Sequence, residues 1–195
     1  MTVFVAAPSR AGQEDAAAPL TKVKTTLADA LAILHNRSMP VEQRRRALQQ
    51  LAERNLDLQR MARESLSDHW SELSPADRDE FITLFVAFIE EAYLIQIQNY
   101  AELDIAVSKA SLSSTDYAQV NATVMQPHEE VLPIAFMLER RGNDWSVYDV
   151  TVEGVSMVHN YRTQFNRVIE RQGLRQLLTD LKAKQKQLAI LIGQP

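Results

Sequence analysis

Hydrophobic and polar positions repeat with a helical period from Leu20 to Tyr100. Leu20, Val23, Leu27, Ala30, Leu31 and Leu34 fall at i, i+3, i+4 and i+7 spacings and predict a helix with a single apolar stripe. Pro40 stands at a favourable N1-like position and restarts the chain. A second helix then carries Val41, Leu48 and Leu51, with Arg44, Arg45 and Arg46 mostly outward. Leu56, Leu58, Met61, Ala62 and Leu66 continue into a third helical piece that ends near Trp70. Ser74-Pro75-Ala76-Asp77 is a helix start, with a hydroxyl N-cap, a proline at N1 and an acid at N3. The helix that follows is expected to reach about Tyr100. Its apolar positions, Phe81, Leu84, Phe85, Phe88, Ile89, Ala92, Tyr93, Ile95 and Ile97, make a face wider than one core contact needs.

After residue 101 the period switches to two. Ile105 and Val107, then Val120, Ala122 and Val124, then Ile134, Phe136 and Leu138, then Tyr148, Val150 and Val152 each alternate with other residues. Four strands with one apolar face each predict an antiparallel sheet covered on one side. Gly142-Asn143 closes the last hairpin. Beyond Gly154 the helical period returns with Val158, Tyr161, Phe165 and Ile169. Gly173 breaks it before Leu174, Leu177, Leu178, Leu181 and Leu188. Helices, then strands, then helices around one sheet is an α+β layout. The predicted architecture is a twisted four-stranded antiparallel sheet packed with helices, as one domain over residues 20–190.

Composition narrows the chemistry. The 195 residues include 21 Lys and Arg against 25 Asp and Glu, a formal charge of −4. With no basic run beyond Arg44–Arg46, nucleic acid is a poor partner. There is no cysteine, which excludes disulfide scaffolds, thiol catalysis and Cys-built metal sites. Five glycines, at 12, 142, 154, 173 and 193, cannot write a phosphate-binding loop or a dinucleotide fingerprint. No run of 18 apolar residues exists to span a bilayer. Near the N-terminus, Val3–Ala7 reads VFVAA and precedes Ser9-Arg10-Ala11, a small-x-small triplet of the kind signal peptidase accepts. Residues 1–19 are accordingly expected to be an Ala-rich disordered tail or the remnant of an export signal, outside the fold.

Catalytic constellations are sparse. His35, His69, His128 and His159 are far apart in sequence, and His128-Glu129-Glu130 lacks the second histidine of a helical zinc motif. Ser156 after Gly154-Val155 reads as the cap of the next helix rather than a nucleophile. Asp77, Asp79 and Glu80 complement a helix dipole. A curved antiparallel sheet wrapped by helices can enclose the cavity of an NTF2-like or cystatin-like cone, and such cones host isomerases and dehydratases. Asp149 and His159 would then be the acid–base candidates, although Asp149 lies on the strand face opposite Tyr148, Val150 and Val152. A pocket lined only by apolar groups binds rather than transforms.

The stretch Trp145–Arg162, WSVYDVTVEGVSMVHNYR, resembles the hallmark segment of the MlaC-type, or toluene-tolerance auxiliary, proteins. Met61-Ala62, Trp70, Ser74-Pro75, Phe81, Phe85 and Tyr93 fit the same pattern, and the likeness covers about Leu20 to Leu188. The resemblance implies a periplasmic carrier, not an enzyme, that holds phospholipid tails in a hydrophobic cavity and has no cofactor beyond that cargo. It implies as partners an outer-membrane lipoprotein–porin complex and an inner-membrane ABC transporter with a membrane-anchored MCE-domain component. A sister branch carries hopanoids. A monomer suits a shuttle, and an export-signal remnant suits residues 1–11.

Hiding acyl chains is worth about 0.8 kcal/mol per CH₂, so two chains of roughly 15 methylenes would cost on the order of 20 kcal/mol if left in water. The walls expected around them are Phe85, Ile89 and Tyr93 on the long helix, then Val107, Val124, Phe136, Tyr148, Val150 and Val152 on the sheet. Val155, Met157, Val158 and Tyr161, at the strand-to-helix turn and the helix beyond, complete the set. Val155 is expected to face inward at the bend that Gly154 permits.

Overall fold

The computed structural model describes residues 10–100, 104–125 and 131–192, with side chains at 10–15, 91, 93–100, 104 and 188–192 left out of the description. In chain order the elements are α1 (Arg10–His35), α2 (Val41–Asn55), α3 (Leu58–Leu66), the single turn α4 (His69–Glu72) and α5 (Pro75–Tyr100). Strands β1 (Asp104–Leu112), β2 (Tyr117–Met125), β3 (Val131–Arg141), β4 (Asp144–Val152) and β5 (Val155–Ser156) follow, then α6 (Met157–Gln172) and α7 (Leu174–Ile192). The sheet is an antiparallel meander in the order β1-β2-β3-β4-β5. Its fifth strand, two residues paired to the end of β4, was absent from the expected four.

Local signals explain most boundaries. The Ser74 hydroxyl accepts from Asp77 N at 3.2 Å and donates to the Asp77 carboxylate at 2.6 Å, so the predicted start of α5 is a capping arrangement. Pro40 is the N-cap of α2 rather than its first helical residue. Its ψ of 143° is extended, and its carbonyl accepts from Gln43 N and Arg44 N. The expected third helix divides at Ser67, whose φ of 50° ends α3 at Leu66 before the α4 turn. Leu56 belongs to neither helix: its extended backbone forms a parallel bridge to Val147. The first helix begins at Arg10, ten residues inside the segment expected to be a tail, and carries Pro19 within it, fully buried.

Gly142 closes the β3–β4 hairpin at a positive φ, as the first position of a two-residue turn favours. Glu153 and Gly154 close β4–β5 with φ of 53° and 79°, both positive, the backbone of a type I′ turn. Glu153, carrying a Cβ, holds that conformation at a cost of about 1 kcal/mol, and its N–H donates to Pro133 O at 2.9 Å.

One bulge changes the reading of β4. Val147 pairs with Leu138 and Asp149 with Met137, leaving Tyr148 as the extra residue. Trp145 and Val147 therefore share the helix-covered face with Val150 and Val152, whereas simple alternation had grouped Tyr148 with the latter two. The main core joins that face to α3, α5, α6 and α7 through Met61, Leu66, Phe81, Phe85, Val120, Leu138, Phe165 and Leu181. A second, smaller cluster of Leu34 and Leu48, with Ala30, Leu31 and Ile33, binds α1 to α2. The helical hairpin α1–α2 thus has its own apolar seam.

Candidate functional site

Between these two clusters lies a cavity of about 250 Å³. Its walls are Leu27 and Ala30 of α1, Leu48, Leu51 and Ala52 of α2, Met61 of α3, Phe136, Val150 and Val152 of the sheet, Met157 of α6 and the linking Leu56. Its few polar groups bond to protein: Gln49 Nε2 donates to Glu90 Oε2 at 3.2 Å, Thr26 to Asn55 at 3.1 Å, and Asn55 Nδ2 to Leu51 O at 2.7 Å. The remaining surface is hydrocarbon. Apolar walls and few convergent polar groups describe a binding pocket for a nonpolar ligand.

The cavity reaches the surface at the β4–β5 end, where its lining residue Val152 is 38% exposed. Val155, the ladder partner of Val152, is 59% exposed there, and Met125 and Val131, paired across β2 and β3, are exposed at the same end of the sheet. Four of the five large exposed apolar side chains among the described residues therefore gather at one end. Val152 and Val155, a ladder pair on the cavity's side, form a greasy rim, while Met125 and Val131 fall on the other sheet face by register.

Of the residues expected to line a pocket, Phe136, Val150, Val152 and Met157 do so. Phe85, Ile89, Val124 and Val158 are packed in the core instead. Phe85 stacks on Phe81 with ring centroids at 5.9 Å and meets Tyr161 and Phe165 edge-on, so the Phe81–Phe85 stretch of the broad α5 face is satisfied by α6. Val107 and Tyr161 pack against the same core. The Tyr93 side chain lies outside the described residues, as does His128. Val155 does not line the cavity; it stands on the rim, exposed beside its ladder partner Val152.

Tyr148 is turned to the opposite sheet face by the bulge. The Arg60 guanidinium sits 3.9 Å from its ring centroid, and Tyr117 meets it edge-on at 5.9 Å. Arg60 also bridges Glu64 and Glu139, both at 2.6 Å, and Tyr117 Oη donates to Glu139 at 2.8 Å. Burial opposes charge on Arg60, but the two carboxylates outweigh it and raise its pKa. Burial alone would raise Glu139, yet the Tyr117 hydroxyl and Arg60 reverse this and hold the carboxyl below its ordinary value. Burial also pushes the Tyr148 phenol up. The cluster fastens α3 to the sheet and leaves the cavity untouched.

The acid–base candidates are engaged elsewhere. Asp149 accepts from Val150 N at 2.8 Å, from Val158 N at 3.1 Å and from the Ser156 hydroxyl, while Ser156 Oγ accepts from His159 N at 3.0 Å. Together they cap α6. His159 is exposed on its first turn. Neither lines the cavity. Among the described residues no group of three His, Asp or Glu side chains is placed to hold a metal, and no helix is long and apolar enough to cross a membrane.

The α1 and α2 walls escaped sequence reasoning. Leu48, Leu51, Ala52 and Asn55 at i, i+3, i+4 and i+7 do mark one face of α2, and the small Ala30 and Ala52 mark where two helices leave space.

A second, more open cleft of about 590 Å³ adjoins the cavity across Leu56. Its floor is Leu56, Leu58, Ile82, Val86 and Trp145, and its rim carries Glu53, Arg54, Asp57, Arg141 and Asp144. Arg141 pairs with Asp57, and Lys22 with Asp144 at 2.7 Å. The Lys22 ammonium lowers the Asp144 carboxyl pKa.

Comparison with known proteins gives a consistent answer. The model of the MlaC protein family matches residues 24–183. The intermembrane phospholipid transport system binding protein MlaC of Haemophilus influenzae is 24% identical over 126 residues, 63% of this chain and 59% of that protein. The chain thus spans less than two thirds of that curated relative. Among solved structures, the phospholipid-binding protein from Ralstonia solanacearum, in complex with a phospholipid, has the same fold. The match has a TM-score of 0.76 at 23% identity and covers 87% of this chain and 98% of that one.

Proposed function

Because the chain belongs to the MlaC family, we propose that it is a periplasmic phospholipid carrier, taking diacyl lipid between an outer-membrane complex and an inner-membrane ABC transporter with an MCE-domain component. The observation that carries the reading is the cavity between the α1–α2 hairpin and the sheet, whose walls are hydrocarbon and whose polar groups are bonded to one another. Such a wall has nothing to offer a compact polar substrate, and each methylene it hides is worth about 0.8 kcal/mol. The greasy rim of Val152 and Val155 is where chains would enter, with the headgroup left outside in water. Weak headgroup selectivity follows.

Mass spectrometry of an organic extract from purified, detergent-free protein tests this. Near-stoichiometric diacyl phospholipid is the expected result. A hopanoid would move the chain to another cargo, and a lipid-free extract, confirmed by native mass spectrometry, would overturn the carrier reading.

A further inference from the structure

The cavity of about 250 Å³ falls below the usual range of about 300–1,000 Å³ even for drug-sized ligands. Two chains of roughly 15 methylenes, each near the size of a water molecule at about 30 Å³, need on the order of 900 Å³. The adjoining cleft, at about 590 Å³, supplies most of the difference. Ile82, Val86 and Glu90 recur every fourth residue on α5 and so form one stripe about 12 Å long. Ile82 and Val86 floor the cleft, and Glu90 lines the cavity. The two spaces therefore lie one after the other along α5, and Leu56 is the one lining residue they share. Leu56 is only half-buried, and its backbone is held by the bridge to Val147, so its side chain is the part of the divide that can turn without moving an element.

We propose that the cleft beyond Leu56, floored by Leu58, Ile82, Val86 and Trp145, is a second acyl-chain chamber that receives the methyl ends of the bound lipid. This rests on the carrier reading above. The direction follows from the rim: chains entering beside Val152 and Val155 run toward Leu56, so their leading methyl ends come to rest in the cleft, farthest from the entrance. Three of the five charged side chains around the cleft are already neutralised, Arg141 and Asp57 by one another and Asp144 by Lys22, which lowers the cost of an apolar occupant beside them.

The chain's two tryptophans are at 70 and 145, and Trp145 lines the cleft. In the Trp70→Phe protein, Trp145 reports on the chamber alone. The protein is loaded with phosphatidylcholine bearing a nitroxide at carbon 16 or at carbon 5 of one chain, and loading is confirmed by native mass spectrometry. The carbon-16 label is expected to quench most of the Trp145 emission, and the carbon-5 label little of it. Loaded protein that keeps its emission with both labels would overturn the chamber, and stronger quenching by carbon 5 would overturn its orientation. Failure to load at all would overturn the carrier reading instead. A second variant, Leu56→Phe, should shift co-purified lipid toward shorter chains; an unchanged chain-length profile would count against a passage past Leu56.

Discussion

Ala52 offers the sharpest test of whether the cavity is space or packed core. It lies on α2, half-buried, with its methyl on the cavity wall. Ala52→Leu adds three carbons pointing into a space of about 250 Å³. Their transfer from water is worth about 2.4 kcal/mol at 0.8 per carbon, from which side-chain ordering removes about 0.5–1 kcal/mol. A net gain of about 1.5 kcal/mol remains, because leucine is also a good helix former. At about 2–4 °C per kcal/mol for a chain of this size, the delipidated variant should melt about 3–6 °C above the delipidated parent. Carrying capacity moves the other way. Three carbons occupy about 90 Å³ if each is near the size of a water molecule, roughly a third of the cavity, so displaced methylenes weaken lipid binding by up to about 2.4 kcal/mol, on the order of 50-fold.

The assay is calorimetry on delipidated protein beside lipid-to-protein ratios from extracts of untreated protein. Both must move, in opposite directions. A variant that melts below the parent would mean that α2 already packs tightly against the sheet, since overpacking costs typically 1–3 kcal/mol. A variant that is more stable yet carries lipid at the parent ratio would mean that the lipid lies elsewhere. Either result refutes the assignment of this cavity.

Other perturbations separate scaffold from site. Asp149→Ala removes the acceptor that caps α6 and should lower denaturant stability by about 1–2 kcal/mol, with the lipid ratio of the folded fraction unchanged; a loss of lipid at full stability would restore a direct role for Asp149. Val155→Glu, at an exposed rim position, should leave the melting temperature nearly as it is and reduce co-purified lipid, because a carboxylate must be stripped of water as chains pass beside Val152; parental lipid content would remove Val155 from the entrance. Glu139 has its pKa lowered in the fold, so its contribution to stability is present above the ordinary carboxylate value of 4.5 and is lost as the pH falls through the depressed folded value. Glu139→Gln should therefore lose stability at neutral pH and show a shallower acid dependence in urea titrations, and parallel acid profiles for the two proteins would refute the coupling.

The strand order, the hairpin at Gly142 and the capped start of α5 were legible because each is decided locally, by alternation, by a positive φ or by a hydroxyl next to a proline. The bulge at Tyr148 was not. It is one extra residue, and alternation carried through it assigns Trp145 and Val147 to solvent although both are buried at 4% exposure. A one-residue slip reverses every side chain beyond it, which is why Tyr148 was expected in the cavity and is found against Arg60. The unequal fate of the apolar faces has a different cause. Periodicity reports that a face is apolar; it does not report how far away the opposing face stands. The wide face of α5 suggested an unfilled space, yet Tyr161 and Phe165 of α6 gather with Phe81, Phe85 and Phe88, five rings in all, and close that stretch of it.

The modest stripe of α1 suggested an ordinary contact, yet it borders the cavity, because Ala30 and Ala52 are too short to meet the sheet. Leu34 and Leu48 hold α1 to α2 in a cluster separate from the main core. That separation is what allows a space to persist: the hairpin is stabilised by its own seam and does not need to collapse onto Phe136 and Val150 to bury its leucines. A chain whose α1 and α2 had no independent contact would gain by closing the cavity, at about 25 cal/mol for each Å² of apolar wall removed from water. Leu48→Ala, which weakens the seam, should therefore lower stability by about 2–5 kcal/mol if the seam is packed as a core is. It should also loosen the α1–α2 hairpin first, seen as faster amide exchange in α2 than in α5. Equal protection loss in both helices would show that the hairpin and the main core melt as one unit, and the cavity would need another explanation for standing open.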